Sequence, residues 1–326
     1  LIKVLVVGQY NNLVHWTKNT VEAFAQSDCD VDYFALDGGT AIQSLHLRLF
    51  KAMHGDKSSA ICIGLEKKLK KYRPDLIVFI VLSGLQIPEK MFAITNDVCP
   101  NAKKIAWIGD KLTLEETVFA RYVDWIFCTD TTFINDVHVF GFTTPTSYLP
   151  LAVNQNFFKP MSIPRTNKII YVAKSSPSRE RILCSMQKPI TLYDKSWSSL
   201  KDSQHEINAY RLPYKKLPEI YATCRAVLNI KNEKNVVNGL NQRSFEPYGC
   251  MTPVLNDAVQ DVEKCFEVGK EILVYHSLDE FYDLYDRLSN DSHFAQSIGR
   301  AGYKRIMAEH TYAHRVHTML IQIGLK

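Results

Sequence analysis

The chain has 326 residues, 46% of them hydrophobic and 22% charged, with a formal net charge of +5. That length exceeds one ordinary core and suits two α/β domains, the charge is too weak to argue for nucleic acid, and the longest apolar run, residues 76–82, is far short of a bilayer span. The eight cysteines include no C-x-x-C pair and read as reduced core thiols of a cytosolic protein, not as zinc ligands or disulfides.

The opening residues read as a first strand over 2–7, which runs straight into a polar segment and lacks the shape of a signal peptide. A helix follows over 13–25, a strand over 31–36, and a helix over 61–72. That helix carries Lys67, Lys68, Lys70 and Lys71, which suit either a solvated face or peripheral docking on an anionic inner-membrane surface. Strands over 76–82, 104–108 and 125–129 complete the first half. Continuous apolar strands alternating with helices indicate a parallel sheet covered on both faces.

Segment 148–160 has prolines near both ends and no period, so it reads as an interdomain connection. The pattern then restarts, with strands over 168–172, 190–193, 226–230, 253–256 and 272–275. Helices follow over 278–288 and 294–308, and a closing helix over 311–323. The expected architecture is two Rossmann-like α/β domains, 1–152 and 153–326, facing across a cleft, with 311–326 a candidate return to the first. Strand carboxyl ends are where each half would meet a ligand.

Several turns carry ligand-binding chemistry. After the strand over 168–172, Lys174, Arg179 and Arg181 join Ser175, Ser176 and Ser178 at a strand-to-helix turn. Ser176 or Ser178 would cap that helix, whose free N–H groups favour an anion, and Arg forks phosphate oxygens. An ordinary capped surface helix fits the same residues. In Asn238-Gly239-Leu240-Asn241-Gln242-Arg243-Ser244-Phe245-Glu246, Gly239 permits close backbone approach. A helix starting near Asn241 or Gln242 would set Arg243 and Glu246 on one face, either to meet phosphate and ribose or as a surface ion pair. The stretches 191–197 and 211–214, with Leu212, suit a base-framing loop or core and turn. Lys231 directly follows the strand over 226–230.

In the first half, Gly8, Gln9 and Tyr10 follow the first strand, with His15 close behind. Ser83-Gly84 and Gly109-Asp110 follow two others. These are candidate acceptor-side positions, and His15 and Asp110 are candidate general bases; His15 equally suits a helix surface and Asp110 a helix cap. Asp28-Cys29-Asp30 has a D-x-D form but precedes its strand, on the wrong edge of the sheet, and no metal is expected there.

Taken in order, these segments resemble the group 1 glycosyltransferases of GT-B fold, most closely the CgeB-like (spore maturation) branch. Val153-Asn154-Gln155-Asn156-Phe157-Phe158-Lys159-Pro160 resembles the family linker V-D-x-x-x-F-x-P. Pro253-Val254-Leu255 is similar to its G-x-P-V-x strand, and His310-Thr311-Tyr312-Ala313-His314-Arg315 to the H-T-Y-x-x-R end of that branch. The donor motif E-G-F-G-x-x-x-x-E lies on Asn238, Gly239, Leu240, Asn241 and Glu246 without a gap. Asn238 stands where the family has an acid that contacts the donor sugar or its phosphate. The resemblance implies a metal-independent transferase that retains anomeric configuration and needs no cofactor. Its donor would be a nucleotide-sugar, a UDP-sugar ahead of a GDP-sugar, with a glycan, lipid or protein as acceptor. Glu246 would contact the ribose, while Lys174 and Arg179 or Arg181 would hold the diphosphate. The alternative is a nucleotide-sugar-binding protein without catalysis, which Asn238 motivates.

Overall fold

The computed structural model describes residues 1–10, 15–37, 45, 49, 50, 52, 58–84 and 87–326. They fall into two units, Leu1–Leu149 with Tyr312–Lys326, and Pro150–Thr311.

In the first unit the strands are β1 (Ile2–Gly8), β2 (Cys29–Ala35), β3 (Leu76–Val81), β4 (Lys103–Ile108), β5 (Trp125–Cys128) and β6 (Thr146–Tyr148). They form one parallel sheet in the order β2-β1-β3-β4-β5-β6. Every residue of β3 is buried, because helices cover both faces of a parallel sheet. The helices are α1 (Trp16–Ala25), α2 (Ser58–Tyr72), α3 (Glu89–Val98), α4 (Thr131–Val139) and, from the chain's end, α10 (Tyr312–Gln322). The last packs on α1, burying Val316, Met319 and Leu320. Strand order reverses between β1 and β3, which makes the carboxyl ends of these two strands a natural crevice. Close packing there requires small residues. A Cβ on Gly109 would lie 2.1 Å from the Trp16 ring, and one on Gly8 2.5 Å from Thr17 Oγ1.

The second unit has β7 (Ile169–Val172), β8 (Thr191–Tyr193), β9 (Glu206–Asn208), β10 (Ala226–Asn229), β11 (Val254–Asp257) and β12 (Leu273–Tyr275). Their order, β12-β11-β10-β7-β8-β9, is again parallel throughout and reverses between β7 and β10. Helices α5 (Pro177–Ser185), α6 (Leu217–Thr223), α7 (Glu246–Gly249), α8 (Leu278–Asn290) and α9 (Ser292–Glu309) complete it. Tyr171, Trp197, Phe281 and Leu288 centre the core beneath α8.

Most predicted elements appear with ends moved by one to three residues, and three findings differ. The strand expected over 31–36 begins at Cys29, so Cys29 and Asp30 lie inside it and only Asp28, at φ 57°, forms the turn. The start of the helix expected at 13 falls outside the described residues; the helix runs from Trp16. Strands β6 and β9 were missed because both are three-residue edge strands with no buried position, so neither leaves an apolar pattern to read. Among the described residues no helix is long and apolar enough to cross a membrane.

Candidate functional site

The reversal point of the second sheet is built from the turn after β7, the end of β10, and the segment before α7. Ser176, not Ser178, caps α5 through its Oγ and the Arg179 N–H. The three predicted cations then separate. Lys174 and Arg181 are exposed, but Arg179 is only 6% exposed. Its guanidinium donates to the Ile230 carbonyl from Nε and Nη2 (3.3 and 3.0 Å), and from Nη1 to the Lys174 carbonyl at 3.1 Å. It therefore ties α5 to the end of β10 rather than standing open for an anion, and burial lowers its pKa.

Arg243 approaches from the other side. The guanidinium groups of Arg243 and Arg179 lie 5.5 and 5.8 Å from the Tyr171 ring centre, close enough for both to gain from the ring's face. Arg243 Nε donates to Asn229 Oδ1 at 3.1 Å, and Nη1 to the Val172 carbonyl at 3.3 Å. Asn229 ends β10 and is the hub of a buried network. Its amide donates to Ser244 Oγ (2.9 Å) and to Asn256 Oδ1 (2.7 Å), while its carbonyl accepts from Asn241 Nδ2 at 3.0 Å. Asn241 also accepts from the Arg243 N–H at 2.9 Å. Such a network fixes the segment before α7 against two strand ends.

The helix expected to start near Asn241 is not continuous. Gln242–Ser244 is a 3₁₀ turn capped by Asn241, and a separate four-residue helix, α7, begins at Glu246. Pro247, in its first turn, has no N–H to donate back across Phe245. Arg243 and Glu246 consequently do not share a helix face, and they form no ion pair with each other. Glu246 is 4% exposed and accepts a hydrogen bond from the Tyr214 hydroxyl at 2.9 Å. Burial pushes its carboxyl up to about 8, against the opposing pull of Tyr214 and Arg243. Tyr214 belongs to the stretch 211–214, which the sequence reads as a base-framing loop or as core and turn; beside it, Leu212 is half-buried.

Past β10, the Lys231 N–H donates to Asp257 Oδ2 at 3.0 Å, and Lys231 Nζ to the Val237 carbonyl at 3.2 Å. Enclosure raises the Asp257 carboxyl to about 6, although Lys231 and both arginines pull it down. A recess of about 610 Å³ opens here, with Lys231, Asn238, Gln260, Glu263 and His276 as its polar lining. Gly239 and Leu240 are buried beside it. Asn229, Asn256 and Asp257 went unremarked in the sequence, although polar residues closing apolar strands were a visible signal.

In the first unit, Asp110 Oδ2 accepts from the Ser83 N–H and Oγ, both at 3.2 Å. It thereby joins the turns after β3 and β4. Tyr10 stacks on Tyr33 with ring centres 3.9 Å apart, and its N–H donates to Asp37 Oδ1. Gln9 is half-buried beside it. His15 precedes α1 and makes no side-chain capping bond. Gly8 and Asp110 thus share the carboxyl edge of the sheet. On α2, Lys68 pairs with Asp32 and Lys70 with Glu66, while Lys67, Lys70 and Lys71 are exposed.

Residues 168–321 match a family model described as glycosyl transferase-like. No curated protein matches the chain in sequence. Solved structures do match over its full length. Sucrose-phosphate synthase from Thermosynechococcus elongatus is similar with a TM-score of 0.71 at 12% identity, covering 100% of this chain and 99% of the other. HepE from Anabaena in complex with UDP is similar at 0.68 and 11%, covering 99% and 100%. AviGT4, a glycosyltransferase involved in avilamycin A biosynthesis, is similar at 0.64 and 11%, covering 99% and 97%. The fold is that of the GT-B glycosyltransferases, and the domain matched over residues 168–321 is that of a transferase.

Proposed function

We propose that the chain transfers a glycosyl group from a nucleoside diphosphate sugar held by its second unit. The observation that carries this is the gathering of Arg243, Lys231 and the exposed Lys174 with Glu246 around the reversal between β7 and β10. A diphosphate leaving there gains negative charge, and fixed cations stabilise that charge most where it develops. Arg243 supplies the fork for phosphate oxygens; Glu246 accepts from ribose hydroxyls. Side-chain cations meet the leaving group, so the reading calls for no divalent ion, and retention follows from the family resemblance. Were the reaction inverting, Asp110 at the carboxyl edge of the first sheet is the better candidate base, ahead of His15.

HepE, of the same fold, has been solved with UDP and with UDP-glucose, which supports testing uridine donors first. Calorimetry with UDP-glucose and GDP-mannose checks the reading. Arg243→Ala is expected to weaken the bound donor by at least about tenfold, the scale of a charge-assisted hydrogen bond. Unchanged affinity would remove the site. A second reading, binding without transfer, is favoured by Asn238 in place of the family's acid. Donor binding with no hydrolysis or transfer across varied acceptors would select it.

A further inference from the structure

We propose that Tyr214 is a positioning residue for the nucleoside: its hydroxyl holds one oxygen of the Glu246 carboxyl and so presents the other to the ribose diol. The proposal rests on the reading of Glu246 as the ribose acceptor and adds a residue that the reading does not contain.

The geometry carries it. The Tyr214 hydroxyl donates to Glu246 Oε1 at 2.9 Å, and the two residues are 7% and 4% exposed. The tyrosine ring is itself fixed. It stacks on Phe157 with centres 4.9 Å apart and planes 12° apart, and meets Phe158 edge-on at 5.7 Å. Phe158 in turn lies against Gly249, where a Cβ would come within 2.5 Å of its own Cβ. The segment resembling the family linker therefore clamps the tyrosine that holds the acid, and Gly249 leaves room for the clamp. A rigid ring that donates one bond restricts the carboxyl's rotation, which is what orienting a two-oxygen acceptor requires.

The arrangement has a titratable signature. The charged or titratable groups facing Glu246 are Tyr214, Tyr221 on α6, Arg243 in the turn before it and Cys250 after α7. Of these, Tyr214 and Arg243 favour the ionised carboxylate, while burial opposes it and raises the group to about 8. A carboxylate accepts diol hydrogen bonds better than a neutral acid does. Donor affinity should therefore rise with pH through that value. Removing the Tyr214 hydroxyl removes a bond to the ionised form and moves the rise to higher pH. A role in packing alone would lower affinity equally at every pH.

The test is calorimetry of UDP-glucose and GDP-mannose from pH 6 to 9 on the wild type, Tyr214→Phe and Glu246→Gln. Both probes keep a fully ionised diphosphate over that range. Tyr214→Phe is expected to bind about tenfold more weakly at pH 7, the scale of one hydrogen bond to a charged group, and to converge on the wild type at the alkaline end. A Tyr214→Phe profile with the wild-type midpoint overturns the proposal. If the wild type binds neither probe, or Glu246→Gln keeps wild-type affinity and slope, the ribose reading of Glu246 falls instead. Thermal unfolding without ligand reads the same proton. A carboxyl raised on folding contributes stability below its ordinary pKa, and that stability is lost as pH rises through about 8. In Tyr214→Phe the loss should extend to higher pH than in the wild type; coincident melting profiles would also overturn the proposal.

Discussion

Two arginines beside one tyrosine ring show how little residue type says about role. Arg179 and Arg243 both lie about as far from the Tyr171 ring centre, at 5.8 and 5.5 Å. Arg179 spends its donors on the carbonyls of Lys174 and Ile230, and a buried cation so bound is part of the fold. Arg243 is less buried and anchored by one side-chain and one backbone acceptor, so its outer donors are the ones placed to meet an anion. The family resemblance implies Lys174 with Arg179 or Arg181 for the diphosphate; of the two arginines, Arg179 is committed to backbone carbonyls and Arg181 is exposed. Arg179→Met should lower stability by about 1–3 kcal/mol through the lost hydrogen bonds to the Lys174 and Ile230 carbonyls, although the Ile230 carbonyl keeps its bond from the Tyr171 hydroxyl, read as a fall in the urea midpoint. The folded fraction should keep donor affinity to within a few-fold. Arg243→Ala should do the reverse, with a small change in midpoint and a large loss of affinity.

At the scale of elements, contacts too close for a Cβ set how the second unit's helices pack. Gly302 in α9 faces Tyr248, where an added Cβ would stand 2.2 Å from the ring and 2.8 Å from the Glu271 carbonyl. Tyr248 is wholly buried, and its hydroxyl oxygen accepts the Val254 N–H at 3.3 Å. The ring therefore has no open side to move into. Gly302→Ala should cost about 1–3 kcal/mol despite the helix propensity alanine brings, measured as a lower melting temperature. These elements were legible because their strands are largely apolar runs: 76–82, 104–108 and 226–230, with Lys104 and Asn229 their polar members, all appear within a residue or two. What escaped was polar and local. Residues 206–208 have no buried position. The break between Arg243 and Glu246 depends on Asn241 capping a 3₁₀ turn and on Pro247 starting another helix. The donor motif was found by the order of its residues. Its clamp, Tyr214 with Phe157 and Phe158, depends on contacts between segments more than 50 residues apart, which no local pattern encodes.

The chain leaves the first unit at Leu149 and returns to it at Tyr312, so its last fifteen residues belong with its first. The closing motif explains the exit and the return together. His310 ends α9, bonds the Cys265 carbonyl at 2.9 Å, and accepts the Val153 N–H on its own carbonyl at 2.9 Å. The next-but-one residue, Tyr312, already packs edge-on against Trp107 in the first unit at 6.2 Å. One short motif thus fastens the second unit's two ends and starts α10. Within the first unit, α10 buries Val316, Met319 and Leu320. At about 1.5–3 kcal/mol for each such side chain, their loss approaches the whole stability of an ordinary domain, about 5–15 kcal/mol. Truncation after Thr311 should therefore unfold the first unit. The tryptophans report it: Trp16, Trp107 and Trp125 lie there, with Trp16 and Trp107 edge-to-face at 4.7 Å, whereas Trp197 lies in the second unit. The expected result is loss of most near-ultraviolet circular dichroism from the truncated chain, with a cooperative melt still visible through Trp197 when the other three are replaced by Phe. A truncated chain whose near-ultraviolet spectrum matches the full chain's would show that α10 is dispensable to the first core.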